Sequence, residues 1–69
     1  MTTIWRINMT IQDLNQVCSL KQFIQIYYSF GAGYNRTDLQ SLLNKYAQRS
    51  IKHYSVDIEN NCIYLYLYN

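Results

Sequence analysis

Residues 53–68 read His53-Tyr54-Ser55-Val56-Asp57-Ile58-Glu59-Asn60-Asn61-Cys62-Ile63-Tyr64-Leu65-Tyr66-Leu67-Tyr68. Two alternating runs flank Asn60-Asn61. In the first, Tyr54, Val56 and Ile58 alternate with His53, Ser55 and Asp57; in the second, Ile63, Leu65 and Leu67 alternate with Cys62, Tyr64, Tyr66 and Tyr68. A period of two is the signature of a half-buried strand. Asn tolerates positive φ, so Asn60-Asn61 suits a two-residue turn. That turn pairs Glu59 with Cys62, Ile58 with Ile63, Val56 with Leu65 and Tyr54 with Leu67, so that apolar meets apolar on one face. A slip of one residue would turn that face outward. The stretch is expected to form a β-hairpin.

Upstream, Leu39, Leu42, Leu43, Tyr46 and Ala47 recur at helical spacing and predict a helix over 37–49, capped by Thr37 or Asn35. The segment Ala32-Gly33-Tyr34-Asn35 reads as a turn. Before it, Leu20, Phe23, Ile24, Tyr27 and Phe30 have the same spacing and predict a helix over 20–30. Ser19 with Gln22 would open that helix as a capping box, and Gly31 would close it in the left-handed conformation. Thr10 with Asp13 is a second box, opening a short helix whose apolar face is Leu14, Val17 and Cys18. Trp5, Ile7, Met9 and Ile11 alternate with Arg6, Asn8 and Thr10, which predicts an N-terminal strand.

A two-stranded hairpin is barely stable alone, so the N-terminal strand is expected to join it. The fold expected for residues 1–69 is a single α+β domain of two layers. It has an N-terminal strand, two to three helices and a C-terminal β-hairpin, the strands forming a three-stranded antiparallel sheet. The expected core is Val56, Ile58, Ile63 and Leu65 under Phe23, Tyr27, Leu39, Leu42 and Leu43.

The 69 residues carry 6 Lys+Arg against 4 Asp+Glu, are 49% hydrophobic and 16% aromatic, and so have the means to build a core. Disordered chains have the opposite composition. The longest apolar run, Cys62 to Tyr68, is far short of the about 20 residues of a membrane-spanning helix. No stretch reads as a signal peptide. Two cysteines, Cys18 and Cys62, are fewer than the four to eight usual in secreted scaffolds of this size. Both are expected to be reduced in a cytoplasmic protein.

Chemistry finds little to work with. A cysteine nucleophile needs a base within hydrogen-bond reach, and Cys18 with His53 is the sole combination worth weighing. Cys18 shares an apolar helical face, where a thiol is ordinarily a small buried hydrophobe. One histidine and no C-x-x-C leave no four-ligand zinc site. Gly31-Ala32-Gly33 lacks the lysine of a phosphate loop. No catalytic, metal or cofactor residues are assigned, and the chain is expected not to be an enzyme. The run Ile4-Trp5-Arg6 with Thr10, Asp13, Leu14 and Asn15 resembles the opening of bacterial hotdog-fold acyl-CoA thioesterases. That family's His-Gly-Gly stretch and catalytic carboxylate helix have no counterpart here, so the resemblance implies no activity.

Two surfaces remain. Tyr64, Tyr66 and Tyr68 stand in a row on the outer face of the hairpin, opposite Asp57, Ser55 and His53, and tyrosine is enriched in interfaces. Aromatic residues also favour strands for packing reasons alone. The expectation is a protein-binding face formed by Tyr64, Tyr66, Tyr68 and His53, docking a larger protein or complex or a second copy of the chain. Small autonomous chains of this class are common among phage and mobile-element products that inhibit host defence, anti-CRISPR proteins among them. The alternative is a winged-helix DNA-binding regulator. In it, helix 37–49 would enter the major groove with Arg36, Gln40, Asn44, Lys45, Gln48, Arg49 and Lys52 facing nucleic acid.

Overall fold

A computed structural model describes residues 9–69. The elements are α1 (Ile11–Val17), a single 3₁₀ turn (Leu20–Gln22), β1 (Gln25–Ser29), β2 (Asn35–Thr37), α2 (Leu39–Tyr46), β3 (Ile51–Asp57) and β4 (Cys62–Leu67). The fold is α+β as expected, but the sheet is four-stranded and mixed rather than three-stranded and antiparallel. Its order is β2-β1-β4-β3, with β1 parallel to β4 and the outer pairs antiparallel. The expected N-terminal strand falls mostly outside the described residues. Within them, Thr10 makes an isolated antiparallel bridge to Ser50, and Ile11 already opens α1.

α1 starts as its capping box predicts: Asp13 N–H donates to Thr10 Oγ1 and Thr10 N–H to the Asp13 carboxylate, both at 3.1 Å. Ser19 makes no such bond, and only one 3₁₀ turn follows it. The helix expected over 20–30 is replaced by β1. Gln25 to Ser29 alternate across the sheet, and pairing with β4 on one side and β2 on the other supplies hydrogen bonds that an isolated helix would have kept internal. Gly31 and Gly33 do take positive φ, +119° and +86°, but in the loop after a strand rather than at a helix end. α2 confirms the helix expected over 37–49 in shorter form. Its N-cap is Asp38, whose carboxylate accepts from Ser41 N–H at 2.8 Å and Ser41 Oγ–H at 3.1 Å.

The hairpin is present with its faces as expected and its register moved by two. Asp57 pairs with Cys62, Val56 with Ile63, Ser55 with Tyr64, Tyr54 with Leu65 and His53 with Tyr66. The turn therefore holds Ile58 to Asn61. Asp57 fixes it by accepting from Asn60 N–H (3.2 Å) and Asn60 Nδ2–H (2.8 Å), and Asn61 takes the left-handed position with φ 55°. Asn61 also ties the turn to the chain ahead of β1, its Nδ2 donating to Gln22 O (3.0 Å) and its carbonyl accepting from Ile24 N–H (2.8 Å).

The core lies between the helices and one sheet face. Ile11 and Leu14 of α1, Leu20 of the 3₁₀ turn and Leu42 of α2 pack on Ile26, Ile51, Ile63, Leu65 and Leu67. Leu39, Leu43 and Phe23 flank it as expected, joined by Tyr28. Val56 and Ile58, expected at its centre, are 42% and 87% exposed. The reason is topological: the helices lie over β1 and β4, while β3 is the outermost of the described strands, and the moved register carries Ile58 into the turn. Tyr27, also expected inside, stands on the opposite face of the sheet. α1 and α2 are tied at one end by Gln12 N–H to Ala47 O (2.9 Å) and Ile11 N–H to Arg49 O (3.2 Å).

Candidate functional site

An antiparallel or mixed sheet covered on one side leaves its other side to water or to a partner. Here that open face is built in transverse rows set by the strand registers. Arg36 of β2, Tyr27 of β1, Tyr64 of β4 and Ser55 of β3 form one row. Ser29, Tyr66 and His53 form the next, and Gln25, Cys62 and Asp57 the third. The middle of the sheet is thus aromatic and its margins are polar.

The rings pack on one another. Tyr27 stacks on Tyr64 with centroids 5.0 Å apart and planes 11° from parallel. Tyr34, from the loop before β2, stands edge-on over both Tyr64 (5.1 Å) and Tyr66 (5.4 Å). His53 lies against Tyr66 at 4.1 Å. Five rings thus form a continuous band across β1, β4 and β3, each such pair contributing about 0.5–1.5 kcal/mol beyond its buried area. Tyr27 is held further by its hydroxyl, which donates to Gln25 Oε1 at 2.7 Å. Burial among these neighbours pushes the Tyr64 phenol above its ordinary pKa, with Cys62, Tyr27 and Asp57 adding to the effect. No helix among the described residues lies over the band, since the helices pack on the face that carries Ile63, Leu65 and Leu67.

The structure brings Tyr64, Tyr66 and His53 together as the sequence led one to expect. Tyr68 does not join them. It lies past the end of β4 and faces Lys52, whose ammonium is 5.9 Å from its ring centre. Tyr27 and Tyr34 belong to the band and were missed. Reading 25–29 with a period of two would have found Tyr27, whereas Tyr34 sits in a loop and carries no periodic signal.

The residues named for nucleic acid fall into separate groups. Arg36 is on the open sheet face, and Gln40 bonds Asn44 (3.0 Å) on the exposed side of α2. Lys45, Gln48 and Arg49 line a cleft at the far end of α2, with Lys52 beside Tyr68. The paired helices of a helix-turn-helix are not formed, because β1 and β2 stand where its first helix was expected. Cys18 packs against the core while His53 is on the open face, so they make no dyad. Both cysteines are free thiols. Among the described residues no three His, Cys, Asp or Glu side chains gather as a metal site would require. No helix among them is long and apolar enough to cross a membrane. No family model, curated protein or solved structure matches this chain.

Proposed function

We propose that this chain is a small, non-enzymatic binding protein that docks a larger protein through the open face of its sheet. The observation that carries this reading is the band Tyr27–Tyr64–Tyr34–Tyr66–His53, over which no helix among the described residues lies. Interface centres are rich in tyrosine and poor in Lys, Glu and Asp, with polar residues at the rim. The band follows that pattern, with Arg36, Gln25, Ser55 and Asp57 around it. Its rings are already held by one another, so little side-chain freedom is lost on docking. A narrower form of the proposal, an anti-CRISPR-like inhibitor from a phage or mobile element acting in the host cytoplasm, rests on chain size and fold class alone.

Capture from host lysate by the immobilised chain, with and without nuclease, tests the reading. A nuclease-resistant protein partner that is lost when Tyr34 is changed to Ala is the expected result. Capture that vanishes on nuclease treatment would replace this reading with nucleic-acid binding. A dimer dissociated by the same substitution would make the occupant a second copy of the chain.

A further inference from the structure

We propose that the cleft between the C-terminal end of α2 and the end of β4 binds a phosphoryl group. The cleft has a volume of about 460 Å³ and is lined by Lys45, Tyr46, Gln48, Arg49, Ser50, Tyr68 and Asn69. That volume lies within the about 300–1,000 Å³ of small-molecule sites. Two of the lining side chains are cations and none is a carboxylate.

Arg49 is placed rather than loose. Its guanidinium carbon is 5.3 Å from the centre of the Phe30 ring and 5.5 Å from that of Tyr46, and Nη1 donates to Tyr68 O at 3.4 Å. A guanidinium has five N–H donors, so most of this fork remains unspent. Its planar geometry matches phosphate oxygens two at a time. Lys45 supplies a second charge; Lys52 lies outside the lining, its ammonium 5.9 Å from the Tyr68 ring centre.

The C-terminal end of a helix ordinarily carries partial negative charge and repels anions. Here five of the carbonyls around the cleft already accept a backbone N–H, while those of Lys45 and Gln48 do not. Leu43 O accepts from Ala47 N–H (3.2 Å), Tyr46 O from Arg49 N–H (2.9 Å) and Ala47 O from Gln12 N–H (2.9 Å). Arg49 O accepts from Ile11 N–H (3.2 Å) and Ser50 O from Tyr68 N–H (3.1 Å). The charged side chains that line the cleft, Lys45 and Arg49, are both cations. A single carboxylate would occupy one fork, whereas a tetrahedral phosphoryl group has further oxygens for the other polar side chains of the lining, Lys45 and Ser50 among them. The site shares no residue with the tyrosine band, so each can fail without the other.

The test is a ¹H–¹⁵N NMR titration with inorganic phosphate against sodium chloride of equal ionic strength. Saturable shifts at Arg49 Nε–H and Ser50 N–H are expected with phosphate alone. Because Arg49 packs on Phe30 and Tyr46, Arg49→Gln is paired with Arg49→Lys and with Lys45→Gln, an exposed position. Loss of a charge-assisted bond should weaken binding about tenfold or more in Arg49→Gln. Folded Arg49→Lys and Lys45→Gln proteins should each bind more weakly than wild type. Adenosine monophosphate, run as a second probe, separates two sources of the group. Tighter binding than phosphate points to an ester whose base stacks on Tyr68, and equal binding to the free ion; either upholds the site. Shifts no larger than the chloride control, or unchanged affinity in both folded Lys variants, would overturn it.

Discussion

Truncating Leu65 to Ala should remove much of the stability of this domain. Leu65 is fully buried at the middle of the sheet, with Tyr28 beside it on β1 and Tyr54 on β3. Leu→Ala at such a site costs about 2–5 kcal/mol, because the lost transfer energy is joined by a cavity that the neighbouring strands cannot collapse. At about 0.05–0.15 kcal/mol per residue, a chain of this length has about 3.5–10 kcal/mol in total. A loss of about 3 kcal/mol lowers the Tm of a domain this size by about 12–24 °C. Thermal unfolding followed by far-UV circular dichroism reads it directly. Ile58→Ala is the matched control: the turn leaves Ile58 87% exposed, so the change should stay within about 0.5 kcal/mol. Equal Tm losses for the two variants would refute the observed register, since a two-residue turn buries Ile58 against Ile63. A Leu65→Ala protein that melts like wild type would refute the core.

Three further outcomes follow from the same geometry. The Asp57 carboxyl is held below its ordinary pKa by the side chain and then the backbone of Asn60. That contribution is in full above the unfolded value of about 3.9 and lost as pH falls through the lowered folded value, so Asp57→Asn should flatten the acid limb of a stability–pH curve. Asp38, lowered by the backbone and side-chain donors of Ser41, should account for part of the limb that remains. At Asn61, Ala should destabilise more than Gly in urea unfolding, because both lose the bond to Gln22 O but only Ala adds the about 1–2 kcal/mol cost of left-handed backbone. Timed alkylation with mass spectrometry should modify half-buried Cys18 before Cys62, which is 5% exposed.

The legible parts of this fold are those where one period alone fits. Leu39, Leu42 and Leu43 have helical spacing and nothing else, and Thr10 with Asp13 forms the capping box its letters promise. Ile63, Leu65 and Leu67 give the inner face of β4 without ambiguity. The hairpin register was harder, because a shift of two keeps every side chain on its face. What decides it is the Asp57 carboxylate gripping Asn60, a bond between side chain and turn that hydrophobic pattern does not encode. Segment 20–30 misled because tyrosine counts as apolar on either face. Tyr27 and Tyr28 therefore satisfy a helical stripe and a strand equally, and the choice falls to β4, which is 37 residues further along in register. β2 has three polar residues and no periodicity of its own. The candidate site was half visible for the same reason: Tyr64, Tyr66 and His53 sit on the legible hairpin, Tyr27 and Tyr34 on the misread segment and a loop.

The claim that the tyrosine band is a docking face is tested most directly by measuring Tm and partner capture side by side in Tyr66→Ala. Gln40→Ala, on the exposed side of α2, serves as control. Aromatic anchors at an interface centre are worth about 2 kcal/mol or more each, so a Tyr66→Ala protein that still folds should lose capture at least about thirtyfold while the control keeps it. Undiminished capture by folded Tyr66→Ala protein would contradict the account and leave the band as internal packing of an exposed sheet.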